Sequence, residues 1–303
     1  MNHVVITGGA GFIGSHLCRA LLDRGDHVTA VDDLRGAGTR AIADLLEYPL
    51  FTLRTTDVTA LGAFAELDTV THVVHLAGGT RERARHPVDA IRTASTGTLA
   101  VLDLGAAHDA RIVIVSGPRA REEPRGHRPA AHSGPDGDCA RMAIELITEA
   151  AARHYPGANV AIARPFEVYG PHLWPGRGVS AAICAAALRD QTIHLDDEAR
   201  SFVYVADTVA ALVALLDSDT PGPVDVGAQP TRLAEFARTA VEIAGSGWVE
   251  VCRSTPSHPT PRQPDLTRTK ALLGWQPATP LHTGLHHTVN WMQTTLRRRG
   301  APP

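Results

Sequence analysis

The sequence predicts an α/β fold, a doubly wound parallel sheet followed by a smaller C-terminal lobe. Three observations predict it. Short apolar runs alternate with helix-period segments through the first half of the 303-residue chain. The first run is apolar almost throughout, as expected of a strand covered on both faces. It passes directly into a glycine-rich turn and an amphipathic segment, the pattern of a strand–turn–helix unit that opens such a sheet.

Six runs are expected to be strands: His3–Thr7, His27–Val31, Phe51–Arg54, His72–Leu76, Arg111–Ser116 and Asn159–Ala163. Amphipathic stretches such as Phe12–Arg24 and Val88–Ala107 supply the crossing helices, and right-handed crossovers follow. Gly117–Asp138 and Pro165–Gly178 are rich in Pro and Gly and follow the fifth and sixth strands, so both are expected to be loops over a ligand crevice. A last helix is expected near Leu281–Arg297. The domain reading is 1–165 with about 191–226 for the first, doubly wound part, and 166–190 with about 227–303 for the second lobe.

Composition excludes several functions. A net charge of −3 gives no general attraction to nucleic acid or to an anionic membrane. No apolar run approaches the roughly 18 residues of a membrane helix. Cys18, Cys139, Cys184 and Cys252 lie far apart, which fits a reducing cytoplasm and no structural metal site. With a strand beginning at His3 there is no room for a signal peptide. The alanine- and arginine-rich composition points to a GC-rich bacterial source.

The turn carries the first chemistry. Gly9-x-Gly11-x-x-Gly14 has dinucleotide spacing, and Gly8-x-x-Gly11-x-x-Gly14 is a second reading of it. Glycine is required because the turn is tight, the backbone must approach a pyrophosphate, and the helix must pack closely on the sheet. Phe12 and Ile13 then open the helix whose N-terminal amides face the phosphates. Asp32 ends the second strand at the distance expected for a ribose hydroxyl contact. Asp32 and Asp33 would repel a 2′-phosphate, which favours NAD over NADP, although Arg35 lies nearby.

These residues, with Thr56-Asp57-Val58, Val73–Ala77, Arg164–Pro171, Arg200–Asp207, Arg262–Asp265 and Leu272–Pro277, resemble the extended short-chain dehydrogenase/reductase family of Rossmann fold. Within it the likeness is to nucleotide-sugar epimerases, dehydratases and above all UDP-glucuronate decarboxylases, and it spans essentially the whole chain. The resemblance implies NAD as cofactor and a small-molecule substrate such as a UDP-sugar. It implies that Asp57 and Val58 contact the adenine, and that Leu76, Ala77 and Gly78 line the nicotinamide side. Arg200 and Arg262 match arginines that grip the sugar-nucleotide diphosphate, a task suited to bidentate guanidinium contacts. Arg177 falls in a matching segment, and Arg81 offers a further cation for an anionic substrate. Relatives dimerise through helices matching Val88–Ala107 and Gly137–His154, so a homodimer is expected.

The catalytic segment departs from this pattern. The family works through a Tyr-x-x-x-Lys pair, yet the only lysine here is Lys270, preceded four residues earlier by Leu266. Anchoring on Arg141–Glu145, where the family has Lys-x-x-x-Glu, places Arg141 at the lysine and Gly137 at the tyrosine. Ser116-Gly117-Pro118-Arg119 stands where the family carries an active hydroxyl. Gly137 cannot move a proton, and Arg141 can hold a ribose but not give up its own. Candidate replacements are Glu167, which follows the sixth strand, with Asp136 and Cys139 at the start of the helix that follows the fifth strand and its loop.

Three functions compete. The first is an NAD-binding nucleotide-sugar-type enzyme with a degenerate site running non-redox elimination, epimerisation or decarboxylation. The second is a redox relative using substrate-assisted proton transfer. The third is a non-catalytic NAD-binding regulatory protein.

Overall fold

Residues 1–36, 38–78, 87–118, 138–175, 178–196, 198–252 and 263–298 are described by a computed structural model, with backbone alone for 87, 138–143 and 298. The chain divides into two compact units, Met1–Arg164 with Ala211–Val224, and Pro165–Ala210 with Asp225–Pro303.

The first unit is built on β1 (His3–Thr7), β2 (His27–Asp32), β3 (Phe51–Thr55), β4 (His72–His75), β5 (Arg111–Val115) and β6 (Asn159–Pro165). With β10 (Val224–Val226) they form a seven-stranded sheet in the order β10-β6-β5-β4-β1-β2-β3. The pairs among β1 to β6 are parallel, so the direction of winding reverses between β1 and β4. A ligand crevice opens at such a switch, beyond the C-terminal ends of the strands.

β-branched residues dominate β1 and β5, and Val5, Val73, Ile112 and Ile114 are fully buried between helices. Each such side chain contributes roughly 1.5–3 kcal/mol of burial. Helix α1 (Phe12–Asp23) turns Leu17, Cys18, Leu21 and Leu22 onto the sheet and ends before Gly25, whose positive φ of 89° no β-branched residue would take readily. The expected helix over Val88–Ala107 is interrupted. It consists of α2 (Pro87–Arg92), a π-turn at Thr93–Gly97 and α3 (Thr98–Ala107). Helix α4 (Asp138–His154) follows.

Charged side chains fasten the late segment of this unit to the early one. Arg24 Nη1 donates to both carboxylate oxygens of Asp217, at 2.9 and 2.7 Å. Buried Arg111 donates to the carbonyls of Leu215 and Thr220. At the base of α4, Arg164 donates to Glu149 through Nε and Nη2, at 2.6 and 2.5 Å, and both residues are buried. Burial opposes the Glu149 charge, but Arg164 and Arg153 outweigh it and hold its carboxyl below the usual range.

The second unit holds a three-stranded sheet, β11 (Pro230–Arg232), β9 (Ala199–Tyr204) and β7 (Glu167–Tyr169), and a parallel pair, β8 (Thr192–Asp196) with β12 (Trp248–Cys252). Residues 191–210 were grouped by sequence with the nucleotide-binding part; they fall in the second unit because β9 pairs with β7 and β11, and β8 with β12. Helices α5 (Gly178–Leu188), α7 (Leu233–Ala244) and α9 (Leu281–Arg298) pack together beside them. Tyr169, Phe202 and Phe236 form the aromatic centre of this core. Asp207, on α6 (Val205–Leu216), staples the C-terminal turn. Its carboxylate accepts from Ala278 N and Thr279 N, and its carbonyl accepts from Trp275 Nε1.

Candidate functional site

The turn after β1 is closed by backbone alone. Gly8, at φ 73°, donates its N–H to Val31 O at 2.8 Å, and Gly11 N donates back to Gly8 O at 3.0 Å. A Cβ at Gly14 would stand 2.2 Å from Gly8 O, and one at Gly9 would stand 2.6 Å from the Ala30 Cβ. A Cβ at Gly8 would meet Ala77 N at 2.9 Å. The turn is therefore packed to contact, with no room for side chains. No side chain caps α1 at Gly11, so its first amides are left for an anionic ligand, as a pyrophosphate cradle requires. Phe12 and Ile13 are half-buried in its first turn.

Asp32 stands beside this turn. Oδ2 accepts from Ala10 N at 3.1 Å and Oδ1 from Leu34 N at 2.9 Å, which fixes the carboxylate at the end of β2. Asp57 Oδ1 accepts from Thr59 N and Oγ1, shaping the turn after β3. Arg35 lies 3.8 Å from Asp33 and 3.9 Å from Asp57, so its charge is shared between two carboxylates. Val58 is buried and packs on the π-turn, where a Cβ at Gly97 would meet its Cγ1 at 2.8 Å. Leu76 and Ala77 are half-buried beyond β4, and Gly78 is exposed. Leu76 N donates to Thr7 O and Ala77 N to Thr7 Oγ1, which holds this segment against the glycine turn.

Sequence reasoning passed over His75. Its ring is buried, with Nδ1 2.7 Å from Thr7 Oγ1 and Nε2 3.2 Å from Thr98 Oγ1. Burial lowers its pKa to about 4, so the ring is neutral at ordinary pH and ties β1, β4 and α3 together. It was hidden because its partners are 68 and 23 residues away.

At the end of β5, buried Gly117 lies under a carboxylate of α4. A Cβ at Gly117 would stand 2.0 Å from Glu145 Oε1. Beside it, Ser116 Oγ is buried without a hydrogen-bond partner among the described residues.

In the second unit the structure brings two expected residues together. Glu167 Oε1, at the start of β7, lies 3.6 Å from Arg200 Nη1 on β9. Arg200 also pairs with Glu198 at 2.5 Å, so its positive charge is shared by two carboxylates. Asp136, Arg81, Arg177 and Arg262 lie outside the described residues, and Cys139 and Arg141 lie on α4 where only backbone is described. Among the described residues no cluster of His, Cys, Asp or Glu is arranged to hold a metal, and no helix is long and apolar enough to cross a membrane.

Comparison with known proteins places this geometry. Residues 4–227 match the NAD dependent epimerase/dehydratase family. UDP-glucuronic acid decarboxylase 1 of Xenopus tropicalis is 31% identical, over 98% of this chain and 74% of that protein. UDP-glucuronic acid decarboxylase 5 of Arabidopsis thaliana is 33% identical, over 93% of this chain and 86% of that protein. The UDP-glucuronic acid 4-epimerase of Bacillus cereus, solved with UDP-glucuronic acid and NAD, superposes with a TM-score of 0.81 at 22% identity, covering 97% of this chain and 99% of that one. The UDP-glucose 4-epimerase of Thermus thermophilus, solved with NAD, has a TM-score of 0.75 at 26% identity, covering 96% and 99%.

Proposed function

Since the chain belongs to the NAD dependent epimerase/dehydratase family, we propose that it binds NAD and acts on a nucleotide sugar by non-redox chemistry: elimination, epimerisation or decarboxylation. One observation carries the reading. The glycine cradle is packed to contact, while the sequence has Gly137 and Arg141 where the Tyr-x-x-x-Lys pair would stand. In this reading the holder is intact and the proton-handling groups differ from the family's.

In this reading the amides at Gly8–Gly14 hold the pyrophosphate and Asp32 accepts ribose hydroxyls. Asp57 and Val58 flank the adenine, and Leu76–Gly78 flank the nicotinamide. NAD, when bound, would stay oxidised in this reading; it would serve as a hydride acceptor only in the second reading below. Arg141 supplies positive charge at the ribose without releasing a proton. Arg81, Arg177, Arg200 and Arg262 grip the substrate anions. Glu167, Asp136 and Cys139 are candidate proton carriers.

A second reading, redox chemistry with substrate-assisted proton transfer, is favoured by the decarboxylase relatives, which are similar over nearly the whole chain. Stopped-flow absorbance separates the two. Product detected by mass spectrometry from UDP-glucuronic acid or another UDP-sugar, with no transient of reduced nicotinamide, supports the first reading. A transient at the rate of turnover establishes the second, and no product from any nucleotide sugar sinks both.

Homodimer formation through α2, α3 and α4 is part of the proposal. Val88, Ile91, Leu99 and Leu146 expose large apolar side chains on those helices. Sedimentation of Leu99→Glu with Leu146→Glu should show a monomer; an unchanged dimer would place the interface elsewhere.

A further inference from the structure

We propose that Glu167 limits how strongly this site holds a diphosphate, because it stands at Arg200 as a built-in rival to the ligand. This role rests on the nucleotide-sugar reading above, which makes Arg200 a grip for substrate anions. It does not depend on whether Glu167 also moves a proton.

The sheet of the second unit fixes the charges involved. Glu198, just before β9, alternates along the chain with Arg200 and Phe202 within it, which puts the three on one face. Phe202 is buried against Phe236, and Glu167 of β7 is level with Phe202 across a parallel pair. Arg200 therefore emerges at the rim of the aromatic core, beside Glu167. The carbonyl of Glu198 accepts from Leu233 N at 2.8 Å, which holds that end of the group in place.

The two carboxylates at Arg200 are not equivalent. Glu198 Oε1 accepts from Arg200 Nε at 2.6 Å and lies 2.5 Å from Nη2, so it clamps one edge of the guanidinium. Glu167 Oε1 lies 3.6 Å from Nη1, beyond hydrogen-bond reach, and its carboxylate accepts no hydrogen bond among the described residues. Its Oε2 stands 3.7 Å from where a Cβ on Gly178, at the start of α5, would be. One clamp already balances Arg200. The second carboxylate leaves the group with a negative charge in excess, partly open to water.

A phosphate arriving here meets that surplus. Glu198 takes Nε and Nη2, and Glu167 faces the remaining nitrogen. An incoming oxygen must displace Glu167 or lie against it. Like charges a few ångströms apart at a protein surface oppose each other strongly enough to change affinity roughly tenfold.

Calorimetry on the full-length protein, saturated with NAD and titrated with UDP as probe, tests this role. Glu167→Gln removes the surplus charge with little change of shape and should bind UDP roughly tenfold more tightly than wild type. Glu167→Asp keeps the charge and should stay close to wild type. Arg200→Gln should weaken UDP binding, and adding Glu167→Gln to it should bring a smaller gain than in wild type, because the rivalry needs both partners. Unchanged or weaker UDP binding by Glu167→Gln, at a melting temperature matching wild type, overturns the proposal. An equal gain in the absence of Arg200 overturns it too, since that would be general repulsion. Should the glutamine variant fail to fold, Glu167→Asn is read in the same way. If neither wild type nor Glu167→Gln binds UDP, the nucleotide-sugar reading falls, and pyrophosphate decides Glu167 alone. Pyrophosphate binding gained in Glu167→Gln and lost again on adding Arg200→Gln supports the assignment; no gain overturns it.

Discussion

The turn after β1 and the segment after β5 leave the same edge of one sheet and enter helices, yet they are built by opposite means. The first works through backbone alone. Gly8, Gly9 and Gly14 are each held within 3 Å of a neighbour that a side chain would strike, so the sequence there has no freedom. At the second, a side chain of α4 fills the space instead: Glu145 Oε1 stands 2.0 Å from where a Cβ on Gly117 would be. A site made of packed main chain constrains its sequence far more tightly than one made of projecting groups.

The sharpest test of this contrast is the anchor of α4, where side chains are structural. Glu149→Leu should leave Arg164 buried and unpaired and lower stability by about 3–5 kcal/mol in urea unfolding. A loss below 1 kcal/mol would mean that α4 is held by other means (the order of a surface pair), and the contrast within the helix would fail. Next is Gly14→Ala, whose Cβ must move Gly8 O from 2.2 Å. NAD affinity measured by calorimetry should fall on the order of 100-fold, equivalent to about 3 kcal/mol. Retained affinity would show that the turn is plastic after all.

The smallest effect belongs to His75, which fastens the turn to the strand beside it. Its pKa is lowered by burial to about 4 from 6.5. Between those values the unfolded chain binds a proton that the native chain refuses. Stability contributed by the neutral ring is therefore complete above pH 6.5 and declines as pH falls toward 4. At about 1.4 kcal/mol per unit the loss is about 1.4 kcal/mol one unit below 6.5 and reaches at most about 3.5 kcal/mol at the bottom of the window. Unfolding curves across this window should show the slope in wild type and lose it in His75→Asn; a slope that survives the substitution assigns it to other groups.

The six strands of the first unit were legible because apolar β-branched runs bounded by turn residues have few other outcomes. Strand β7 was not, since Glu167–Tyr169 is three residues inside a segment rich in proline and glycine, and only pairing with β9 makes it a strand. The break in the helix over Val88–Ala107 had no local signal either. It coincides with Gly97, pressed on Val58 from a segment about 40 residues earlier in the chain. The cradle could be named from spacing because its chemistry is local. The Glu145 seat could not, because it depends on a distance between Gly117 and a residue 28 positions later. Glu167 and Arg200 were each expected singly, and only the fold reveals that they share charge with Glu198.

The bonds from Arg24 to Asp217 and from Arg111 to the carbonyls of Leu215 and Thr220 have a bearing on biosynthesis. Ribosomes deliver Arg111 long before its acceptors, and residues 165–210, which belong to the other unit, emerge in between. The nascent nucleotide-binding half must therefore wait, its cation still hydrated, until the stretch through Val224 clears the exit tunnel and completes it.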